Sequence, residues 1–499
     1  DANNALVGKG LSVVTAAYLR RFIAFWKEQL ASAEPGAFAV NSTVYGLFVA
    51  VEGILHAYED RLPGGFDNRA RRAIMDELGP AATAYRTAVY EGQVPATKVE
   101  LDSRRIVAFL SLAQAYIEQT LRANRRPDDL THSYNVLHLD EGEAAVENLY
   151  VMLEGQVALL SSGMLAPEEA LRLLQALPHS ELYRADLHTY MLYPNRALPG
   201  FFQKNNVPAD QVAGSPLVAA LTAAGDDRLL VRDETGVYHF NGGFRNAGDV
   251  AAVLAELAGE TAYAGPATAE RDFILDLFEA TFNHRAFTGR SGTFFAYEGL
   301  GSVYWHMVSK LLLAAQECYQ HAVDEPADPA VTAALAAVYY DIRRGLGFNK
   351  SPSEYGAFPA DPYSHTPLGG GARQPGMTGQ VKEEILTRFG ELGVTVRDGA
   401  LHFRPTLLKR EEFLAEPSSF SYVDVDARPR VMVLPAGSLA FTICQTPVVY
   451  TLGDSPRIEV VYRDGRSITV AGNSLDAATS RPIFDRDGQI GVLHVTVES

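Results

Sequence analysis

The stretch Ser353–Arg388, SEYGAFPADPYSHTPLGGGARQPGMTGQVKEEILTR, stands between a helical part of the chain and a strand-rich one. Pro359, Pro362 and Pro367 rule out an uninterrupted helix across it. Gly369 to Gly371 let the backbone approach a ligand closely, and Pro375-Gly376 favours a further turn. From Gln380 the spacing becomes helical, with Val381, Ile385 and Leu386 on one side and Lys382, Glu383, Glu384 and Arg388 elsewhere. A helix N-terminus is therefore expected just behind Thr378-Gly379, where free N–H groups and the helix dipole suit an anion or a sugar hydroxyl. Long loops of this kind are functional or disordered, and the aromatic and His content here argues against disorder.

Upstream, from about Val7 to Gln175, the apolar spacing is helical almost throughout. Leu11, Val14, Leu19, Phe22, Ile23 and Trp26 form one stripe, and Val44, Leu47, Val51, Ile54 and Leu55 another. Pro167 and the acidic residues behind it mark a helix start. No run before about Leu229 alternates convincingly, so this part is expected to be all-helical. Leu229 to Val231 and Val237 to Phe240 suggest a small hairpin across Glu234-Thr235-Gly236. Helices are expected over Glu270 to Phe282, Val303 to His321 and Pro329 to Arg344.

After about Leu392 the period changes to alternation. Short β-branched runs such as Leu439 to Ile443, Ile458 to Tyr462 and Val492 to Val497 are broken by Asp-Gly and Pro-Ala-Gly turns, which predicts an antiparallel β domain. The expected fold is mainly α with a C-terminal all-β domain, a helical domain over 1–390 followed by a β-sandwich over 391–499.

Composition bounds the function. With 499 residues, 47% of them hydrophobic and 10% aromatic, the chain has enough apolar surface for two cores. A formal charge of −17 disfavours nucleic acid or an anionic membrane as a partner. Cys318 and Cys444 are the only cysteines, which excludes a disulfide framework and suits a reducing compartment, so a cytoplasmic location is expected. No run approaches the length of a membrane span, and DANNALVGKGLSVV has neither a basic n-region nor a cleavage site. The missing initiator Met suggests a processed product or the C-terminal portion of something longer. Without HExxH, paired-ligand spacing, a Walker motif or a dinucleotide fingerprint, no metal or organic cofactor is expected.

Three clusters join carboxylates to glycines near helix mouths: His138 to Glu147 (HLDEGEAAVE), Arg285 to His306 (RAFTGRSGTFFAYEGLGSVYWH), and the loop that opens this section. Aromatic faces for C–H surfaces, with carboxylates and amides for hydroxyls, are what a carbohydrate site needs, and a carboxylic acid protonates a glycosidic oxygen. Asp140 and Glu141 are expected to precede a helix, where favouring its dipole is the competing explanation. Glu143 and Glu147 then lie one helical turn apart. Glu154, in an apolar helix, requires a ligand or an internal partner. Tyr304 and Trp305 suit a sugar platform or a core, and His306 a core. Asp186, His188, Tyr190 and Arg196 form a further polar group that suits substrate.

The order of these clusters resembles the inverting glycoside phosphorylases of the cellobiose phosphorylase type, glycoside hydrolase family 94 and its relatives. HLDEGE, YEGLGSVYWHM, DPYSHTP and MTG carry the resemblance, over about residues 135 to 390. It implies an (α/α)6 barrel followed by a β-sandwich; the family's N-terminal β-sandwich has no counterpart here. It also implies that Asp140 is the general acid, with Glu141 the alternative because Leu139-Asp140-Glu141-Gly142 departs from the family's Asp-Trp-Asn-Asp. Glu298 would be a sugar-binding carboxylate, with Tyr297, Arg290, Asp361 and Tyr363 around the substrate, and Thr378, Gly379, His365 and Arg373 would hold phosphate. The implied reaction is phosphorolysis of a β-linked oligosaccharide, with inversion, to a sugar 1-phosphate. An inverting hydrolase would instead need a base such as Glu298 or Glu384, about 6.5–9.5 Å from the acid. A glycan-binding module without chemistry is the third reading. The partners expected are an oligosaccharide and inorganic phosphate, with a homodimer or an upstream part of a longer precursor as macromolecular candidates.

Overall fold

The computed structural model describes residues 10–195, 200–282, 303–325, 327–346, 365–366 and 378–498, of which 365–366 and 378–381 are described in backbone alone. The described residues divide into two units. One comprises those up to 331 with 341–346 and 365–366, the other 332–340 with 378–498. Helix Thr378–Glu391 thus belongs with the strand-rich unit.

The first unit opens on three strands that each run straight into a helix. β1 (Gly10–Ser12) leads into α1 (Val13–Ser32), β2 (Ala37–Asn41) into α2 (Ser42–Ala57), and, after α3 (Asn68–Tyr90), β3 (Lys98–Asp102) into α4 (Ser103–Ala123). The last residue of each strand caps the helix behind it. Ser12 accepts from the Thr15 N–H at 3.0 Å, Asn41 from Thr43 at 2.8 Å and Asp102 from Arg104 at 2.7 Å. Strands β2 and β3 pair antiparallel, and β1 pairs with β4 (Tyr134–Asp140), which forms a hairpin with β5 (Glu143–Asn148). The expectation of an all-helical start is corrected here. These strands are short and end in caps, so their alternation is too brief to stand out beside the helical period.

α5 (Leu153–Ser161) packs between α1 and α11 (Trp305–Asp324), and every residue of it except Glu154 and Ser161 is buried. Its N-cap position, Met152, has no side chain to offer the first N–H groups. Ser133 supplies the missing acceptor from another segment, its hydroxyl taking the Gly155 N–H at 2.8 Å. That approach needs a glycine, because a Cβ at position 155 would lie 2.4 Å from the Ser133 hydroxyl. Gln156, wholly buried, donates to the carbonyls of Thr131 and Met152 and accepts from the Thr131 N–H at 2.9 Å. From the side, Arg20 and Arg21 of α1 tie it to its neighbours. Arg20 pairs with Glu118 of α4 and donates to the Ser162 carbonyl, while Arg21 pairs with Glu317 of α11 and donates to Ser161. Helix α6 (Pro167–Ala176) follows, with Pro167 in its first turn as expected.

Beyond the two-residue strands β6 (Tyr183–Arg184) and β7 (Thr189–Tyr190), residues 201–282 build a module with its own core. It contains α7 (Pro216–Ala224), the hairpin β8 (Leu230–Arg232) and β9 (Tyr238–Phe240), α8 (Ala247–Ala258), α9 (Ala264–Ala269) and α10 (Arg271–Phe282). Leu217, Leu221, Phe240, Leu254, Ile274 and Phe278 are the centre of that core. The buried Asn205 amide pairs with both backbone groups of Phe240 at 2.8 Å, extending the hairpin sideways. β10 (Val303–Tyr304) pairs with β11 (His365–Thr366), and α12 (Pro329–Arg344) keeps the expected bounds.

In the second unit, Thr378–Glu391 is α13, and a five-stranded sheet runs in the order β16 (Ser438–Ile443), β17 (Thr446–Gly453), β20 (Ile490–Glu498), β18 (Arg457–Tyr462), β19 (Ser467–Ala471). The expected antiparallel domain is corrected at one ladder. β17 and β20 are parallel, because two strands and a helix (Ala477–Asp485) intervene between them and give the crossover its length. The hairpins β12–β13 (Val394–Arg397, Ala400–Phe403) and β14–β15 (Ser418–Val423, Pro429–Leu434) precede it in sequence. Phe403, Val448, Tyr450, Val460 and Leu493 are central to its core. Buried Tyr339 donates to Glu391 at 2.7 Å, and Arg388 bridges Glu391 and Glu412, which holds α13 in place. No described helix is long and apolar enough to cross a membrane.

Replacing Gln156 with Leu leaves the Thr131 N–H and two carbonyls without their buried partner. The first unit is expected to lose about 2–3 kcal/mol in urea denaturation, and an unchanged midpoint would show that these bonds are dispensable.

Candidate functional site

Asp140 and Glu141 do not precede a helix. Asp140 ends β4 opposite Glu143, with Glu141 and Gly142 forming the hairpin turn, and Gly142 takes the left-handed conformation (φ 81°) that a glycine adopts readily. Both carboxylates are exposed, and Arg72 donates to the Asp140 carbonyl at 2.8 Å. Glu143 and Glu147 accordingly lie on a strand. Glu143 pairs with Arg69 at 3.3 Å, and Glu147 reaches across the ladder to His138 at 2.7 Å.

The partner Glu154 requires is a hydroxyl from β4, since Tyr134 donates to its carboxylate at 2.6 Å. Burial, reinforced by that carboxylate, pushes the Tyr134 hydroxyl well above its ordinary pKa, so it remains a donor. Tyr150 and Tyr193 pack edge to face beside this pair, their centroids 6.5 Å apart. Nothing in the local pattern around Glu154 points to Tyr134, because the two meet only once the hairpin folds back on α5.

The polar group at Asp186 and His188 is drawn together around the turn between β6 and β7. The Arg184 guanidinium, itself buried, grips Asp186 through two bonds of 3.0 and 2.9 Å and holds its carboxyl below the usual range. His188 sits at φ 48°, an unusual backbone for a residue with a side chain. Its ring lies between the Tyr183 hydroxyl, 3.0 Å from Nδ1, and Asp341 of α12, 3.2 Å from Nε2, and Arg344 pairs with the same Asp341. Sequence reading missed Tyr183, Asp341 and Arg344. The first is five residues from His188 and the other two lie at the end of a helix far along the chain. Tyr190 is buried behind them.

Trp305 is 1% exposed, so its ring fills the core and offers no face to a sugar, which corrects its place among the substrate contacts. Tyr304 is half-buried at the end of β10, its hydroxyl 3.2 Å from His306 Nδ1. The backbone of His365 pairs with that of Tyr304, which places the strand from the long loop beside this ring. Thr378 is the first residue of α13, as the expected N-terminus there requires, with Gly379 next. Glu298, Tyr297, Arg290, Asp361, Tyr363, Arg373 and Arg196 lie outside the described residues. Among the described residues no group of three or more His, Cys, Asp or Glu side chains is placed to hold a metal ion.

The hairpin of the 201–282 module carries a locked turn. Asp233 accepts from the Thr235 hydroxyl at 2.8 Å, from the N–H groups of Thr235 and Val237 at 2.9 Å each, and faces His239 at 3.2 Å. The Thr235 hydroxyl above all, with His239 and the N–H groups, lowers the Asp233 carboxyl from its ordinary 3.8 to about 2. The stabilisation is therefore complete above pH 3.8 and is lost as pH falls through about 2. The stability difference between the protein and Asp233→Asn, read from urea midpoints, is expected to shrink across that window; a difference independent of pH contradicts the assignment.

Residues 198–285, nearly coincident with this module, match the family model of the GH149 phosphorylase insertion domain 2. No curated protein matches the chain. The match supports a glycoside phosphorylase family and does not single out the cellobiose phosphorylase type.

Proposed function

We propose that the chain acts in phosphorolysis of a β-glycosidic bond in an oligosaccharide, with inversion, releasing a sugar 1-phosphate. The observation that supports this reading is the match over 198–285 to a phosphorylase insertion domain, which falls on a module with a separate core rather than on a scattered motif. In this reading the first unit is an (α/α)6 barrel and the second a β-sandwich.

The chemistry asks for one carboxylic acid and a seat for phosphate. Protonation of the leaving oxygen by Asp140 or Glu141 accompanies attack of phosphate on the anomeric carbon from the opposite face. Phosphate is its own nucleophile, so no carboxylate base is required. The start of α13 at Thr378-Gly379 suits an anion, since its first N–H groups have no partner within the helix. Tyr304, Asp186 and His188 are candidates for hydroxyl and ring contacts, the last two already oriented by Arg184, Tyr183 and Asp341.

Incubation with β-linked oligosaccharides, with and without inorganic phosphate, tests this directly. Sugar 1-phosphate formed only with phosphate is expected. Sugar released equally in its absence would establish hydrolysis, and binding without turnover would establish a glycan-binding module. Whichever of Asp140→Asn and Glu141→Gln removes the acid should lower kcat by about a hundredfold or more. Full activity in both variants would place the acid elsewhere.

A further inference from the structure

The turn that joins β16 to β17 is built against the preference of its residues. Ile443 pairs with Thr446, so Cys444 and Gln445 alone make the turn, and both are left-handed, at φ 46° and 66°. Hairpins ordinarily fill those two positions with Asn-Gly, because a side chain crowds the backbone there. Strain of this kind is characteristic of positions whose side chain has a task. Gln445 has one in view. Its amide donates to the Asp424 carbonyl at 3.0 Å, which fixes the side chain against the turn of the β14–β15 hairpin, and its amide oxygen accepts from no described residue.

Asp424 is the hub of the neighbouring cluster. It is 4% exposed, and both its oxygens are engaged. Oδ1 accepts from the N–H groups of Asp426 and Arg428 at 3.0 and 2.9 Å, and Oδ2 from Arg430 Nε at 2.7 Å. Arg463, just past the end of β18, donates Nη1 to Asp426 at 2.8 Å and brings Nη2 to 3.8 Å from the same Asp424 oxygen. One enclosed carboxylate thus holds two guanidiniums side by side, and neither is fully used. Arg430 keeps both terminal nitrogens and Arg463 keeps Nε and Nη2, none of them hydrogen-bonded to a described residue. Asp424 and Asp426 offset the charge of the two arginines without occupying these donors.

The four unspent groups share one wall. Arg430, Arg463, Gln445 and Tyr422 line a hollow of about 340 Å³ together with Pro447 and Ile490. Tyr422 stands opposite Arg430 in the β14–β15 ladder and lies parallel to Phe420, their centroids 5.6 Å apart. Ligand pockets run from about 300 to 1,000 Å³, so this one suits a molecule of a single ring. Forked N–H donors match the paired oxygens of a carboxylate or phosphate. An amide oxygen asks for a hydroxyl, and a tyrosine ring meets a C–H face.

We propose that this hollow in the strand-rich unit binds a small anionic sugar derivative, a sugar acid or a sugar phosphate. Arg430 and Arg463 take its oxyanion, Gln445 a ring hydroxyl, and Tyr422 the ring. The site lies wholly within the second unit and does not rest on the phosphorolysis reading. Calorimetric titration of the full chain with glucuronate, glucose 6-phosphate and glucose tests it, glucuronate first because it brings no phosphate to any other site. Saturable binding of at least one anion is expected, with glucose silent at the same concentrations. Glucuronate alone would mark the oxyanion as carboxylate, and glucose 6-phosphate alone as phosphate. Arg430→Gln and Gln445→Gly should each raise the dissociation constant at least about tenfold. Because glycine relaxes the turn, Gln445→Gly should lose binding with no fall in unfolding temperature, a separation that a purely structural glutamine does not give. No binding of either anion overturns the proposal, as does glucose bound as tightly as the anions or binding that survives either substitution. Loss of binding only alongside a fall in the unfolding temperature of both variants would show these groups to be structural and overturn it too.

Discussion

The burial of α5 on all sides is the constraint on which the first unit depends. A helix with water on one face satisfies its terminal N–H groups from solvent, but this one is enclosed by α1 and α11 and starts at a methionine. Its polar needs must be met by protein: the Leu192 carbonyl takes the Leu153 N–H, Arg20 and Arg21 donate to the carbonyls of Ser162 and Ser161, and one segment ahead of β4 supplies the Ser133 hydroxyl and the Thr131 backbone. The hairpin β4–β5 is attached to that same segment, so its position follows from the capping of a helix it barely touches. Glu154 is the one large polar side chain left at the entrance, and Tyr134 of the hairpin closes the loop by donating to it.

The same logic governs the polar cluster at the β6–β7 turn. Asp186 and His188 lie near the surface, yet neither is left to choose its own rotamer. A buried Arg184 fixes the first, and a hydroxyl and a carboxylate from opposite sides fix the second. Orientation of this kind is supplied by neighbouring residues that need not meet a ligand themselves. In the 201–282 module an Asp, a Thr and a His lock the hairpin turn over a separate apolar core. The module is therefore organised locally.

Much of the helical framework was legible from residue spacing. Pro167–Ala176, Arg271–Phe282 and Pro329–Arg344 announce themselves through period and first-turn proline or acid, and the hairpin over 230–240 through its Asp-Glu-Thr-Gly turn. The strands ahead of α2 and α4 were not legible, because Asn41 and Asp102 act at once as strand ends and helix caps and look like plain helix starts. Strand β4 escaped for a related reason: its burial fades from the buried Tyr134 to the exposed Asp140 along its length, so no period of two develops. A helix start was expected just behind Thr378-Gly379 and α13 begins at Thr378, so that local boundary was legible to within about two residues. Trp305 was not, since an aromatic next to Tyr and His reads the same whether its ring faces inward or outward.

By itself, then, the sequence determined several helix starts and ends and where the chain turns from helix to strand after about Leu392. Caps, prolines and apolar periods act within about four residues, so they are written where they operate. Only the tertiary structure decided which carboxylates stand in water and which are held. Asp140 is solvated on a hairpin turn, Glu154 is bound to Tyr134, and His188 meets Asp341. Burial and partnership are set by residues far apart in the chain, and no local pattern records which of them will meet.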